Sequence, residues 1–377
     1  IRMNIDSSQI YASGVWDSLN YEWKGRPVFK DNKDEYETSE ITYNIKTQKG
    51  YIRRAVTQQG EGYIIADKTK KAEGDVLIIW HTKQQEKTFS KIVLWVGLVI
   101  AFTMVVSVGW LLSDVDKSAI SSLKWLQFLQ TIGVFLLPAL LGVWLWSDDH
   151  RPFRWLKMDR KSGWDIMVLA IVIMVCAIPG INLLAALNNA LVLPDSMRFI
   201  EEYLRQMEEE AALLTECFLQ ADDVWGLFIN IGLMALLPAL AEEISFRGVL
   251  QQLLGGRTHV AIWLTAFIFS AIHMQFYGFV PRMLMGALFG YMFVWTGSLW
   301  VPIVMHFVNN GIAVLCYYIL SRDGVEMDIN YADTLGAGTT WWLGLLSLLT
   351  VLLLLRVLYL RITSQGPRGY DRRTHTQ

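Results

Sequence analysis

Residues 92–112 read IVLWVGLVIAFTMVVSVGWLL, an unbroken run without a charge. About 20 apolar residues in a helix span the hydrocarbon core of a bilayer. Lipid offers no partner for backbone N–H and C=O groups, so only a helix, which pairs them within one segment, can carry such a run across. Comparable runs follow at 125–146, 166–187, 225–250, 260–276, 279–295, 299–320 and 341–360. The expected fold class is therefore mainly α, a polytopic membrane helix bundle of about eight transmembrane helices. No fixed-period repeat is evident along it.

Composition agrees. Of 377 residues, 53% are hydrophobic and only 18% charged, which rules out a collagen, a disordered tail or a disulfide-stapled mini-protein. The formal net charge of -2 gives no electrostatic case for a nucleic-acid partner. Cys176, Cys217 and Cys316 are far apart and form no C-x-x-C, so buried free thiols are expected rather than a disulfide framework or zinc knuckle. The chain opens at Ile1 with no charged-then-apolar leader, as a fragment or processed product would.

Residues 1–88 are different. Ile41, Tyr43 and Ile45 alternate with polar neighbours, and Lys49-Gly50, Gly60 and Gly62 punctuate short apolar pieces. That pattern predicts a small antiparallel β unit preceding the bundle. Its pieces YNIKTQKG (43–50) and QGEGYI (59–64) resemble the OstA-like β-jellyroll domains of lipopolysaccharide transport, over about residues 3–69. That resemblance implies a periplasmic module with no catalytic residues, in a Gram-negative bacterium.

Basic residues give an orientation. Arg151, Arg154, Lys157, Arg160 and Lys161 crowd one loop; Lys83, Lys87 and Lys91 precede the first span; Arg361, Arg368, Arg372 and Arg373 follow the last. By the excess of positive charge on the cytoplasmic side, both ends of the bundle face the cytoplasm. The domain division expected is 1–88 (β unit), 89–363 (bundle) and 364–377 (basic cytoplasmic tail). The β unit then sits in the cytoplasm although its resemblance is periplasmic, so a foreign or truncated origin is expected for it. Within the bundle, Ile200, Leu204, Met207, Ala211, Leu214 and Phe218 recur at three- and four-residue steps, predicting an amphipathic helix over 196–220 at the membrane surface. Its glutamates read as a solvated face.

Ionisable groups within spans are costly and are candidates for function. Glu243 and Arg247 are four apart on one helix, acid first, which favours a pair. Glu242 is rotated about 100° away and left free. Phe269 and His273 share a spacing of four, placing a ring beside an imidazole, and so do His306 and Asn310. Pro238, four residues before Glu242, can loosen that helix. A carboxylate, two imidazoles and an amide in one apolar bundle can activate water and hold an oxyanion.

These residues lie in AEEISFRGVLQ (241–251), FSAIH (269–273) and GSLWVPIVMHFVNNG (297–311), giving E-E-x-x-x-R, F-x-x-x-H and H-x-x-x-N in order on separate spans. The set resembles the CPBP family, which includes the type II CaaX prenyl endopeptidases and the bacterial Abi proteins, over about residues 91–360. The resemblance implies an intramembrane endopeptidase acting on a peptide or protein substrate in the lipid bilayer of the bacterial inner membrane. Glu242 and His273 would activate the water, and His306 and Asn310 would steady the oxyanion. Glu243, Arg247 and Phe269 would support the site. The family has also been described as metal-dependent, and Glu242, His273 and His306 would suit Zn²⁺ with an open fourth position. No H-E-x-x-H occurs, and the extra Asn suits an oxyanion donor better than a ligand, so no cofactor is favoured. A non-catalytic scaffold or bacteriocin-immunity-type protein on the same fold is the alternative, and a proton-coupled transporter a further one.

Overall fold

The structure is a computed structural model. It describes strand segments between residues 2 and 85, mostly as backbone, and residues 88–117, 119–147, 151–255, 258–322 and 335–364. Ile45, Gly60, Lys87, Arg368, Arg372, Arg373 and the rest of the tail after Ser364 lie outside the described residues. The chain divides into two units, Ile1–Val93 and Leu94–Gln377.

The first unit is antiparallel β. Its strands are β1 (Arg2–Asn4), β2 (Gln9–Ser13), β3 (Val15–Asp17), β4 (Glu22–Lys24), β5 (Val28–Asp31), β6 (Asp34–Glu37), β7 (Glu40–Asn44), β8 (Lys49–Gln59), β9 (Gly62–Lys71) and β10 (Leu77–Gln85). β8 is the axis: β7 and then β6 pair along one edge, β9 along the other, and β10 extends the sheet from β9. The register sets Ala12 opposite Ile41 and Ile41 opposite Ile52, the period-two alternation carried across three strands. Lys49-Gly50, expected as a turn, instead opens β8. Both residues already pair with β7 there, and pairing to β9 runs unbroken from Gly50 to Val56 apart from Arg54.

The second unit is helical. Seven helices are long and apolar enough to cross a membrane: α1 (Thr88–Leu112), α2 (Ile120–Trp146), α3 (Trp164–Asn189), α5 (Val224–Leu253), α7 (Phe279–Thr296), α8 (Trp300–Arg322) and α9, within Gly338–Thr363. α4 (Arg198–Leu219) joins α3 to α5. The eighth expected span, 260–276, is shorter in the structure. It forms α6 (His259–Ala271), about 20 Å long at 1.5 Å per residue, and the chain turns after Ala271. The protein is thus an integral membrane protein of mainly α class.

Packing follows the rules of lipid rather than water. Exposed positions are apolar, such as Trp164, Val192 and Leu353. Ile173 and Met174 of α3, Phe289 and Met292 of α7, Met305 of α8 and Leu358 of α9 share a buried cluster. Small residues let backbones approach. Gly336 sits at φ +101° against the Pro179 carbonyl, where a Cβ has no room. Cys316 is exposed and Cys176 and Cys217 are half-buried, so the expectation of buried thiols fails at Cys316, whose helix turns that side outward.

α2 and α5 carry a common device. Both contain Leu-Leu-Pro-Ala-Leu, at 136–140 and 236–240, and both widen into a π turn just before it, Thr131–Leu136 and Ile231–Leu236. Proline has no N–H for the carbonyl four residues back and its ring crowds that turn, so the helix opens there. α5 widens again at Ile244–Leu250, which carries Arg247.

The glutamates of α4 do not form one solvated face. Glu201 accepts the Leu193 N–H at 2.9 Å and pairs with Arg205 at 2.9 Å. The Arg205 guanidinium lies 4.3 Å over the Tyr277 ring, and Glu208 accepts the Tyr277 N–H. Half-burial pushes the Glu208 carboxyl up. These bonds engage two of the six glutamates of α4, Glu201 with Leu193 and Arg205 and Glu208 with the turn that follows α6. The Leu193 N–H and then Arg205 hold the Glu201 carboxyl below its ordinary 4.5. A depressed carboxyl stabilises the fold above the unfolded value and loses that contribution as pH falls through the folded one. Protection of the Leu193 amide from hydrogen exchange should therefore hold above pH 4.5 and decline below it, after correction for intrinsic rates. Glu201→Gln should flatten that dependence; a flat profile in the wild type would contradict the assignment.

Candidate active site

α5 delivers both glutamates. Glu243 is fully buried, and so is Arg247 one turn on. Arg247 Nη1 donates to Glu243 Oε1 at 2.8 Å, the pair expected from the spacing of four. The guanidinium also donates through Nη2 to the Gly286 carbonyl of α7 at 2.9 Å, and lies 4.6 Å over the Phe269 ring and 5.4 Å over Phe289. Gly286 suits that approach, since a Cβ there would stand 3.2 Å from Nη2.

The same carboxylate oxygen has a second donor. His306 Nδ1 of α8 lies 2.9 Å from Glu243 Oε1. A carboxylate beside a guanidinium accepts, so Nδ1 carries the hydrogen and Nε2 is turned outward. Nε2 stands 4.0 Å from Glu242 Oε2. The imidazole is stacked on Phe289, 5.3 Å between centroids and 24° between planes, and meets the edge of Phe269. Position and rotation of His306 are thus fixed by Glu243 and two rings. Glu242 is left at 14% side-chain exposure with no hydrogen bond to protein among the described residues. It is the uncommitted carboxylate of the pair.

His273 is not on a helix as expected. It follows α6 in the turn, two residues past Ala271. Its ring still packs on Phe269 at 5.1 Å, and Nδ1 lies 2.7 Å from the Phe269 carbonyl. A carbonyl only accepts, so Nδ1 is the donor and Nε2 the free acceptor. Met274, next in the chain, has φ +54°, a conformation uncommon for residues with a Cβ and frequent at functional sites. Among the described residues no hydrogen bond or ion pair joins Glu242 to His273; Phe269 is what connects His273 to the cluster.

Asn310 lies one turn beyond His306 on α8. Its Nδ2 donates to the Met234 carbonyl of α5 at 3.3 Å, and its Oδ1 accepts from Asn309 Nδ2 at 3.1 Å. α8 therefore runs antiparallel to α5, His306 against Glu243 and Asn310 against Met234. All seven expected residues come from α5, α6 with its following turn, and α8. Sequence reasoning missed the bond from His306 to Glu243, the stacking Phe289 and the neighbouring Asn309. Only Asn309 had a visible signal, the Asn-Asn pair itself.

Among the described residues no three side chains of His, Cys, Asp or Glu gather into a set that could hold a metal ion. Nδ1 of His306 is engaged by Glu243 and Nδ1 of His273 by a carbonyl, which leaves Nε2 of each ring available, the usual state of a ligating imidazole. Glu242, His273 and His306 are not gathered into such a set among the described residues.

Residues 224–312 match the family model described as type II CAAX prenyl endopeptidase Rce1-like. The matched stretch runs from the start of α5 into α8 and contains all seven candidate residues. The chain is also similar to the uncharacterized protein YpbD of Bacillus subtilis (strain 168), 37% identical over 87 residues. That alignment covers 22% of this chain and 43% of the relative, so the chain spans less than half the relative's length. No solved structure matches the chain.

Removing one partner of a buried ion pair costs roughly 3–5 kcal/mol, because the other charge stays buried. Arg247→Ala and Glu243→Ala should therefore lower folded yield and the melting temperature in detergent. Glu242→Gln should leave both near wild type. Equal losses for all three would contradict this division between the two glutamates.

Proposed function

We propose that this protein is an intramembrane endopeptidase in which Glu242 activates a water molecule without a metal ion. The observation that carries the reading is the unequal use of two adjacent glutamates. Glu243 Oε1 accepts from both Arg247 and His306, while Glu242, 4.0 Å from His306 Nε2, makes no hydrogen bond to protein among the described residues. The Rce1-like match over residues 224–312 supports a peptidase reading of these residues.

Glu242 takes a proton from water, with His273 Nε2 accepting from the same molecule. The water oxygen adds to the scissile carbonyl carbon, and the carbonyl oxygen becomes the oxyanion. Asn310 donates to it through an Nδ2 hydrogen. His306 donates through Nε2, which requires the doubly protonated ring because Nδ1–H is given to Glu243. Glu242 and Glu243 on either side offset that imidazolium charge. The C–N bond then breaks, and the proton held by Glu242 passes to the departing amine. Exclusion of bulk water by the bundle strengthens each of these interactions.

The substrate is a peptide or protein segment in or beside the bilayer. Placement in a bacterial inner membrane with both bundle ends cytoplasmic belongs to this proposal; it needs an even number of crossings, met when α6 counts as the eighth. Residues 1–88 contribute nothing to the chemistry in this reading.

The test is cleavage of a quenched-fluorescence library of apolar peptides by the purified full chain in detergent. Glu242→Gln should slow cleavage by about 10²–10⁴-fold, the usual worth of a general base. A chelator should leave the wild-type rate unchanged. Full activity in Glu242→Gln, or activity lost with chelator and restored by Zn²⁺, would overturn the proposal. Solute flux into vesicles that Glu242→Gln abolishes, without cleavage, would replace it with transport.

A further inference from the structure

We infer that Asn309 is a positioning residue of the proposed site, acting by fixing the amide of Asn310; the inference rests on the endopeptidase reading above. An oxyanion donor works only if its N–H is held where the charge develops. The Asn310 amide is planar and has two hydrogens and one oxygen to place. One Nδ2 hydrogen goes to the Met234 carbonyl at 3.3 Å, and Oδ1 receives the Asn309 Nδ2–H at 3.1 Å. Two bonds at opposite ends of one plane leave a single hydrogen unspent, in a direction the plane determines. The network also decides the orientation. Rotating the amide by half a turn would set Oδ1 against the Met234 carbonyl, acceptor to acceptor, and Nδ2 against the Asn309 amide nitrogen, donor to donor.

Both anchors have local causes. The N–H that would bond the Met234 carbonyl in an α-helix belongs to residue 238, which is proline. The carbonyl is therefore open to a side chain from α8. Asn309 is adjacent to Asn310 and half-buried, and the amide it offers is the only side-chain donor to Asn310 Oδ1 among the described residues. Asn309 touches no reacting atom in this account. Its effect passes through Asn310.

The experiment is a double-mutant cycle on the full chain in detergent, with the same peptide library and with melting temperatures measured alongside. Asn309→Leu keeps the shape and removes the donor. It should lower kcat roughly tenfold, the value of one neutral hydrogen bond, with KM unchanged within about twofold. Asn309→His, whose Nδ1–H can occupy the same place, should recover most of the rate. Asn309→Asp presents an acceptor where a donor is needed and should be at least as slow as Asn309→Leu; it serves if the leucine variant does not fold. In the Asn310→Ala background, Asn309→Leu should change kcat by less than about twofold. Full activity in Asn309→Asp, or effects of Asn309→Leu and Asn310→Ala that simply multiply, would overturn the inference while leaving the endopeptidase reading intact. A wild-type rate in Asn310→Ala, or a wild type that cleaves nothing, would overturn the parent reading and this inference with it.

Discussion

The structure around the site depends on one buried carboxylate. Glu243 has no exposure, and a lone ionised carboxylate in an apolar bundle would be prohibitively costly. Arg247 from the same helix and His306 from another both donate to its Oε1. The guanidinium is in turn committed to a carbonyl of α7 and to two aromatic faces. Satisfying one charge therefore locks α5, α7 and α8 together. It also fixes which nitrogen of His306 faces Glu243, since the hydrogen on Nδ1 is the one Glu243 needs. What remains is the neighbouring Glu242, 4.0 Å from His306 Nε2 and without a hydrogen bond to protein among the described residues. In the proposed reading, structural and chemical duties fall to adjacent residues because a helix turns them about 100° apart.

Proline and helix length supply the remaining polar groups. A continuous α-helix in lipid spends every backbone carbonyl on itself. Pro238 withholds one N–H, and the Met234 carbonyl becomes available to Asn310. α6 stops at Ala271, short of the bilayer thickness, so His273 sits in a turn rather than on a helix wall. That turn is steadied from α4, where Glu208 and Arg205 meet Tyr277. Irregular backbone at membrane depth is tolerable where protein surrounds it, and here it coincides with the polar cluster.

Much of this was legible in the residues. Uncharged runs of bilayer length located the spans, and the spacing of four foresaw the Glu243–Arg247 pair, which depends only on helical period; the Phe269–His273 contact forms as well, although His273 lies in the turn after Ala271. The spacing could not show that His306 binds Glu243 rather than Glu242. That depends on how α8 is rotated against α5, which packing decides. Nor could it show that α6 ends early: Ile272, His273 and Met274 carry no proline or glycine to announce the turn. The α4 acids misled for the same reason. Glu201 and Glu208 share an acidic stretch with Glu209 and Glu210, and only tertiary contacts separate the two kinds. Lys49-Gly50 resembled a turn until pairing along β8 overrode the glycine.

The central claim is that Glu242 and the pair His306 and Asn310 address opposite ends of one reaction, water on one side and oxyanion on the other. A structure of Glu242→Gln with an uncleaved peptide bound tests it most directly. The account predicts the scissile carbonyl oxygen within about 3 Å of both His306 Nε2 and Asn310 Nδ2, with the substituted side chain facing the carbonyl carbon. A scissile bond seated away from these atoms, or a metal ion between residue 242 and His306, would contradict it.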